Sequence, residues 1–377
     1  MKKFTILLLA WMLVANLLNA TIRRVGYTAT AQPVALLDFV NFQAAHDFSS
    51  AGDTIQLYPS ATGSTYTGII SKRLVVLGTG YLNNSFYITG TEIANANLQN
   101  LIGFIASCDF TVDLGSANTV FQGLNGLTVR TTNRQEDLPN ITINRCRNVF
   151  VLFDNSSNCD GWVVSQCTGF YLTQNNASGS FTGNRTITNL TIQNTVVYGA
   201  LTLSTSPTGS FTGNKIYNCN IISGASFSLN NATFAFQNCI FEIQTFTNYT
   251  NCTFVKNVTA LSATGNSITN TGANSGNQYN AVLTNVFNGY PSYTQTAGLN
   301  NQSPDNRYIL KIGTNPAIGG GFLPSSSTVT DCGIFGGAAS YKLSGMPAIP
   351  VFIRFNAPSA IATGTPYTMT FSINSNN

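Results

Sequence analysis

Charge is scarce in this chain. Asp, Glu, Lys and Arg make up 8% of its 377 residues, whereas about a quarter is usual in a soluble domain. The 17 basic and 13 acidic residues leave a formal net charge of +4, and the basic residues form no cluster. Because nucleic-acid binding depends on clustered cations, we expect no nucleic-acid partner.

Metal-binding patterns are also missing from the sequence. His46 is the only histidine, which excludes a multi-histidine metal site and a histidine-dependent catalytic triad. The eight cysteines show none of the paired short spacings typical of zinc sites. We therefore expect no metal and no cofactor, and we expect His46 to be exposed or at the end of a short helix.

Long apolar runs are missing except at the start of the chain. Two lysines precede an apolar stretch from Phe4 to Leu18, and a small-residue site ending at Ala20 follows it. This arrangement is typical of a secretory signal peptide, here residues 1–20, and the stretch is shorter than the roughly 20 residues that span a bilayer. We expect export to the extracellular space, the outer cell surface or the periplasm, and no transmembrane segment after signal removal.

What the chain has instead is an internal repeat. Apolar residues at alternate positions, then a polar residue, then often Cys, recur at intervals of roughly 20 to 30 residues. The copies are Ile141–Cys146, Trp162–Cys167, Leu190–Thr195, Lys215–Cys219, Phe234–Cys239 and Tyr249–Cys252, with Ser107–Cys108 and Asn125–Gly126 extending the series upstream. A repeat of this length indicates a solenoid.

The phase of the apolar residues indicates which kind of solenoid. Alternation at period two predicts strands, and it resumes one position out of phase after the polar residue, which predicts a bend there. Asn tolerates the left-handed conformation of such a bend, so Asn218, Asn238 and Asn251 predict a ladder of stacked amides. Cys in the next position would point into the core as a small filler, and stacked thiols and disulfides such as Cys146 with Cys167 both remain open. The sequence therefore predicts an all-β parallel β-helix solenoid.

The start of the repeat carries a family resemblance. Phe42–His46, Ala51–Pro59 and Ser71–Gly80 resemble the opening of right-handed parallel β-helix proteins of the pectin-lyase-like superfamily. The resemblance implies a right-handed coil and a short N-terminal capping helix. The apolar stripe of that helix is expected at Leu36, Phe39, Val40 and Ala44.

The end of the chain is similar to the closing segment of exported β-helix proteins common in Bacteroidota, through Asn306–Gly319, Asp331–Gly337 and Leu343–Pro350. We expect one β-helix domain with its N-terminal cap over residues 21–340, in which Ala281–Phe287 forms a late coil.

A C-terminal strand cap or attachment segment is expected over residues 341–377. Its two extended segments, Pro350–Phe355 and Tyr367–Ile373, alternate like the strands of a hairpin. Such a hairpin would cover the last coil and block its open edge. A sorting or attachment element is the alternative.

Carboxylates, which glycoside hydrolysis needs in pairs, are few in the body of the repeat. Between Pro139 and Pro304 the chain has only Asp154, Asp160 and Glu242. The clustered aspartates of a polygalacturonase are missing as a motif, and calcium sites gather more acidic oxygens than this segment offers. A hydrolase is therefore not favoured.

A polysaccharide lyase is the enzyme that the charged residues could support. Such an enzyme neutralises a uronate carboxylate with a cation and abstracts the neighbouring proton with a base. Arg145, Arg147, Asp154 and Asp160 form the densest charged region of the repeat and are the candidate catalytic residues. Exposed ion pairs on one loop are the alternative interpretation of these residues, and it is the favoured one.

Binding needs less than catalysis. Strand faces rich in Asn, Thr and Gln, with aromatic residues such as Tyr171, Tyr198 and Tyr217, suit a polysaccharide or cell-surface glycan, although any solvated β-helix face uses the same residue types. We expect an exported, non-catalytic glycan-binding or structural surface protein. The alternative is a lyase acting on a uronate-containing polysaccharide.

Overall fold

Short parallel strands in stacked sheets form the body of the molecule. The structure is a computed structural model and describes residues 20–26, 38–60, 62–81, 105–132, 137–153, 158–174, 186–204, 210–222, 226–230, 232–242, 251–262, 274–289, 304–323, 326–345, 351–356 and 370–374. The predicted signal peptide, apart from Ala20, lies outside these residues. In the described part of the chain, no helix has the length and apolar character needed to cross a membrane.

The first sheet has twelve strands in the described part of the chain, and each pairs in parallel with its neighbours. In spatial order they are β2 (Asp38–Phe39), β1 (Ile22–Val25), β3 (Thr54–Leu57), β5 (Val75–Leu77), β7 (Val120–Gln122), β9 (Thr142–Asn144), β12 (Val163–Ser165), β15 (Thr191–Gln193), β18 (Asn214–Tyr217), β21 (Phe234–Gln237), β23 (Thr253–Val255) and β25 (Asn274–Ser275).

A second and a third parallel sheet complete the coils. The second sheet contains β4 (Ser64–Ile70), β6 (Ile105–Val112), β8 (Leu127–Thr131), β10 (Arg147–Phe153), β13 (Thr168–Gln174), β16 (Val196–Ser204), β19 (Asn220–Ile221), β22 (Ile240–Phe241) and β24 (Val258–Thr259). A further strand of this sheet, β20 (Ser226–Asn230), pairs with β16. The third sheet contains β11 (Asn158–Asp160), β14 (Thr186–Thr188) and β17 (Ser210–Thr212). One coil takes a strand from each sheet, as β9, β10 and β11 do. The predicted parallel β-helix is confirmed, whereas its right-handed sense stays a prediction.

The bends between the first and second sheets use one left-handed residue per coil. This bend row consists of Gly123, Arg145, Gln166, Asn194, Asn218, Asn238, Lys256 and Gly276, with φ between 47° and 68°. Asn is the commonest residue in the row because it tolerates this conformation at small cost. The predicted bend is therefore correct, including the coils where Arg145 and Gln166 replace Asn.

Three of the predicted copies were placed in the wrong register. Strand pairing aligns Phe236 with Phe254, so the residues that match Asn238 and Cys239 are Lys256 and Asn257, not Asn251 and Cys252. Upstream, Gly123 occupies the bend, whereas the proposed copy Asn125–Gly126 lies after it. The other proposed copy ends at Cys108, which is buried inside β6 of the second sheet. Local sequence resemblance misled the alignment because the loops between strands vary in length.

The residue after each bend, which we call the inner slot, has a function that the sequence did not reveal. At five steps along the solenoid its side chain accepts a hydrogen bond from the backbone N–H at the same slot of the preceding coil. The pairs are Leu124 N to Cys146 Sγ (3.5 Å), Cys146 N to Cys167 Sγ (3.4 Å), Cys167 N to Thr195 Oγ1 (3.2 Å), Cys239 N to Asn257 Oδ1 (2.8 Å) and Asn257 N to Asn277 Oδ1 (2.9 Å). Cys, Thr and Asn share a small size and an acceptor atom, which explains why they alternate here. All eight cysteines are free and buried.

The N-terminal helix α1 (Phe42–Phe48) covers the first coil as expected, but with another face than predicted. Its buried residues are Phe42, Ala45 and His46, and the Phe42 ring lies 4.5 Å from that of Phe110. Of the stripe predicted for it, Val40 is 93% exposed and precedes the helix, Phe39 belongs to β2, Ala44 is exposed, and Leu36 lies outside the described residues.

His46 lies in the last turn of α1, as expected, but it is buried rather than exposed. Its Nε2 accepts a hydrogen bond from the backbone N–H of Ser71 at 3.1 Å. Lys72 donates from Nζ to the carbonyl oxygens of His46 and Ser49, both at 3.0 Å. These contacts satisfy the C-terminal end of the helix and hold it on the solenoid.

The chain turns back after its last coil. The predicted coil Ala281–Phe287 is wrong, because this segment forms a 3-10 turn over Leu283–Asn285. Residues 304–323 and 326–345, which we call the return segment, run along the bend row toward earlier coils. They contain 3-10 turns at Pro304–Tyr308 and Leu343–Gly345 and the antiparallel pair β26 (Gly321–Phe322) and β27 (Val329–Thr330).

The return segment supplies most of the partners of the bend-row amides. Asn238 donates from Nδ2 to Phe322 O at 2.7 Å and to Asn218 Oδ1 at 3.2 Å, and its Oδ1 accepts from Phe322 N at 3.2 Å. Asn194 donates to the carbonyl oxygens of Ile334 and Gly336 at 2.8 and 2.6 Å. The predicted stacking of Asn218 and Asn238 is thus correct, but backbone carbonyls of the return segment, not further amides, complete the row.

The last described strands, β28 (Val351–Asn356) and β29 (Thr370–Asn374), pair in antiparallel fashion. This pairing confirms the predicted hairpin. That the hairpin covers the last coil stays a prediction.

Candidate functional site

An aromatic column on the outer face of the second sheet is the most distinctive surface feature. Phe150, Tyr171 and Tyr198 lie on the consecutive strands β10, β13 and β16. The rings of Phe150 and Tyr171 stack with centroids 4.4 Å apart and planes at 9°, and Tyr171 meets Tyr198 edge to face at 6.1 Å and 73°. The outer rings, Phe150 and Tyr198, are 38% and 50% exposed.

Local irregularity of β16 makes room for this column. Phe170 pairs with Val197, but Leu172 pairs with Leu201, so the register shifts between them. Tyr171 therefore lies opposite a bulge that contains Gly199, where an added Cβ would come 1.7 Å from its ring carbons. Only glycine allows Tyr171 to lie flat on the backbone here. Burial, and then the neighbouring Tyr198, raise the pKa of Tyr171.

A groove adjoins the aromatic column where the return segment passes over the second sheet. Its volume is about 280 Å³. It is lined by Arg147, Asn148, Thr168, Gly169, Val196, Tyr198, Ile222, Arg307 and Tyr308. The charged side chains in this lining are the two arginines, and the return segment contributes Arg307. Burial raises the pKa of Tyr308, although the adjacent Arg307 opposes this shift.

The structure separates the two candidate arginines. Arg145 occupies the bend row with φ 52°, is 5% exposed and donates from Nε to Gln166 Oε1 at 2.7 Å. Gly345 of the return segment packs against its carbonyl oxygen. Burial lowers the pKa of the Arg145 guanidinium. Arg145 is thus enclosed at the corner, whereas Arg147, two residues later, lines the open groove.

Of the two candidate carboxylates, the structure describes Asp160, which lies apart from the candidate arginines. Asp160 ends β11 in the third sheet, at the opposite end of the first-sheet strands from Arg145. It accepts hydrogen bonds from Thr188 Oγ1 at 2.6 Å and Asn189 Nδ2 at 2.8 Å, which lower its pKa. Asp154 lies outside the described residues. Among described residues, no cluster of three or more His, Cys, Asp and Glu could hold a metal ion.

The sequence pointed to part of this site. Of the three tyrosines singled out, Tyr171 and Tyr198 come together, whereas Tyr217 lies on the first sheet. Phe150 was missed although a signal existed, because it lies between inward-facing Val149 and Val151. Arg307 could not be placed in the groove from sequence, because the path of the return segment does not follow the repeat.

Comparison with known proteins adds no relative to this description. Neither a protein-family model nor a curated protein matches the chain.

Proposed function

We propose that this chain is an exported, non-catalytic parallel β-helix protein that binds a polysaccharide or cell-surface glycan at the aromatic column and the adjoining groove. The exposed rings of Phe150 and Tyr198, held in place by Tyr171, are the observation that supports it. Aromatic ring faces offer apolar platforms to the C–H faces of sugar rings, and the polar lining of the groove offers hydrogen bonds to hydroxyl groups.

Membership in the pectin-lyase-like superfamily and an origin in Bacteroidota are part of this proposal. They rest on the resemblances at the two ends of the chain. Export rests on the signal peptide predicted for residues 1–20, and an exported protein would meet the polysaccharides outside the cell.

The alternative, a lyase acting on uronate-containing polysaccharide, has weaker support. Arg147 and Arg307 could neutralise a carboxylate in the groove. A base must also lose its proton readily near neutral pH, and burial acts against this for Tyr308 by raising its pKa. Arg145, the other candidate, is enclosed under the return segment.

One experiment tests both functions. The mature protein is applied to an array of neutral and acidic glycans and is incubated separately with pectate, alginate and glycosaminoglycans while ultraviolet absorbance records unsaturated products. We expect binding on the array that is weakened in Phe150→Ala and Tyr198→Ala and kept in the matched control Tyr217→Ala. Product formation that disappears in Arg147→Ala or Arg145→Ala would refute the non-catalytic function and establish the lyase.

A further inference from the structure

A buried group of two tyrosines and one aspartate joins the return segment to the solenoid. Tyr341 donates a hydrogen bond from its hydroxyl to Asp305 Oδ2 at 2.7 Å. Because this bond uses the single hydroxyl proton of Tyr341, the hydrogen bond between Tyr81 and Tyr341 is donated by Tyr81. Tyr81, Tyr341 and Asp305 are 0%, 4% and 3% exposed. We call these three residues the Tyr–Tyr–Asp cluster.

The Tyr–Tyr–Asp cluster lies beside the groove and connects two parts of the chain. Tyr81 follows β5 of the solenoid, whereas Tyr341 and Asp305 belong to the return segment. Asp305 shares the 3-10 turn Pro304–Tyr308 with Arg307, which lines the groove. The two tyrosines pack in one apolar group with three residues of the groove lining, Val196, Ile222 and Tyr308. The cluster therefore fixes the turn that brings Arg307 and Tyr308 to the groove.

Positive charge gathers where the return segment meets the solenoid. Arg147 of the solenoid and Arg307 of the return segment line the same groove, so their charges repel each other across this contact. The Asp305 carboxylate lies on the same turn as Arg307 and offsets part of this repulsion. Other titratable groups near the cluster or the groove are Arg145, Cys167, Glu242 and Lys342.

We infer that the Tyr–Tyr–Asp cluster is an acid-sensitive latch, which holds the return segment over the groove at neutral pH and loosens it in acid. A carboxylate accepts a hydrogen bond more strongly than a neutral carboxyl group does, so protonation of Asp305 weakens the bond from Tyr341. Protonation also removes the negative charge that offsets the repulsion between Arg147 and Arg307. Both effects weaken the contact between the return segment and the solenoid.

Asp305 is the member of the cluster that changes charge in acid. Burial, and then the charge of Asp305, raise the pKa of both Tyr81 and Tyr341 well above its usual range. A tyrosine hydroxyl is protonated in acid even without such a shift. The contribution of the carboxylate is therefore present at neutral pH and is lost as Asp305 takes up a proton.

Hydrogen-exchange mass spectrometry of the mature protein, from about pH 8 to about pH 4, tests the latch without any ligand. The backbone N–H groups of Asn288 and Gly289 donate to the carbonyl oxygens of Ile309 and Arg307, both at 3.1 Å. Exchange at these two amides therefore reports whether the turn that carries Arg307 stays in place. The amides of β12 and β15 serve as the internal reference for the solenoid.

Two variants accompany the wild type. Asp305→Asn keeps an oxygen that can accept from Tyr341 but removes the titrating charge. Tyr66→Phe is the matched control, because Tyr66 is also a buried tyrosine, and its hydroxyl donates to the backbone carbonyl of Val25 instead of the return segment. Circular dichroism melts show whether both variants remain folded.

We expect exchange at Asn288 and Gly289, corrected for its intrinsic pH dependence, to become at least about tenfold faster in acid, as for the loss of a hydrogen bond to a charged group. The wild type and Tyr66→Phe should both show this response. Asp305→Asn should exchange fast at neutral pH already and change no further in acid. The amides of β12 and β15 should stay protected throughout.

Exchange at Asn288 and Gly289 that is independent of pH in the wild type would overturn the inference, and this measurement decides the matter by itself if Asp305→Asn does not fold. A wild-type pH response in folded Asp305→Asn would overturn it as well, because another group would then titrate. Loss of protection in β12 and β15 at the same pH would show unfolding of the whole solenoid instead of a latch.

The consequence for glycan binding rests on the proposed function and is measured separately. If the latch shapes the glycan site, the affinity of the wild type for the glycan selected on the array should fall in acid, and that of Asp305→Asn should not change with pH. Absence of glycan binding together with the expected exchange result would refute the proposed function and support the latch.

Discussion

Asn238→Ala should be among the most damaging single substitutions in the solenoid. Asn238 is fully buried, adopts a left-handed φ of 55° and makes three side-chain hydrogen bonds to Phe322 and Asn218. Alanine keeps none of these bonds and leaves the backbone N–H of Phe322 without its side-chain acceptor. The substitution thus removes the side-chain link between Asn238 and Phe322, one of several contacts between the bend row and the return segment.

The expected loss follows from these contacts. Three hydrogen bonds at about 1 kcal/mol each and about 1 kcal/mol for alanine in the left-handed region lower the free energy of unfolding by about 4 kcal/mol. Asn238→Gly removes the same bonds without the backbone strain and should cost about 1 kcal/mol less. Asn118→Ala is the matched control, because Asn118 is left-handed at φ 63° but exposed, and it should cost only about 1 kcal/mol.

Urea unfolding of the three variants, followed by far-ultraviolet circular dichroism, measures these differences. Hydrogen exchange at the amides of Phe322 and Gly333 reports whether the return segment loosens, since Gly333 donates to the carbonyl of Asn238. If Asn238→Ala is no less stable than Asn118→Ala, or exchange at these amides is unchanged, the structural role assigned to the return segment is wrong.

The remaining predictions concern the site, acid stability and the thiols. Gly199→Ala should displace Tyr171, cost about 1–3 kcal/mol of stability and weaken glycan binding; unchanged affinity in a titration would contradict the bracing role of Tyr171. Burial alone would raise the pKa of Asp53, but hydrogen bonds from two backbone N–H groups and from Arg23 lower it below 3.8. Its stabilising effect is therefore present above that pH and lost as the pH falls through the lower folded value, and Asp53→Asn should lose less stability than the wild type in acid unfolding. All eight cysteines should resist Ellman's reagent in the native protein, because all eight are buried and burial also raises the pKa of the Cys252 thiol to about 11. Eight thiols should react in denaturant without reductant, and a smaller number would reveal disulfides.

The sequence was sufficient for the architecture because a solenoid repeats its physical constraints. Apolar alternation fixed which residues face the core, and the change of phase at Asn218 and Asn238 located the bends. The same reasoning failed at Asn251, because loop lengths vary between coils and only strand pairing shows that Lys256 takes the bend.

The candidate site could be predicted only in part. Tyr171 and Tyr198 were both singled out from the sequence, but their contact on neighbouring strands depends on the register shift in β16, which was not predicted. The groove depends on Arg307, which is 160 residues after Arg147 in the sequence and reaches the groove on the return segment. No periodic pattern encodes the path of the return segment. The contact of Gly345 with Arg145 depends on the same path, so the enclosure of Arg145 could not be predicted either.

The central claim is that the aromatic column binds a glycan. Isothermal titration of the glycan selected on the array, with wild type, Tyr198→Ala and Tyr217→Ala, tests it most directly. Loss of an exposed aromatic platform worth about 1.4 kcal/mol corresponds to about tenfold weaker binding, so we predict this loss for Tyr198→Ala and wild-type affinity for Tyr217→Ala. Equal affinities of both variants for the glycan, or no binding by the wild type, would contradict the account.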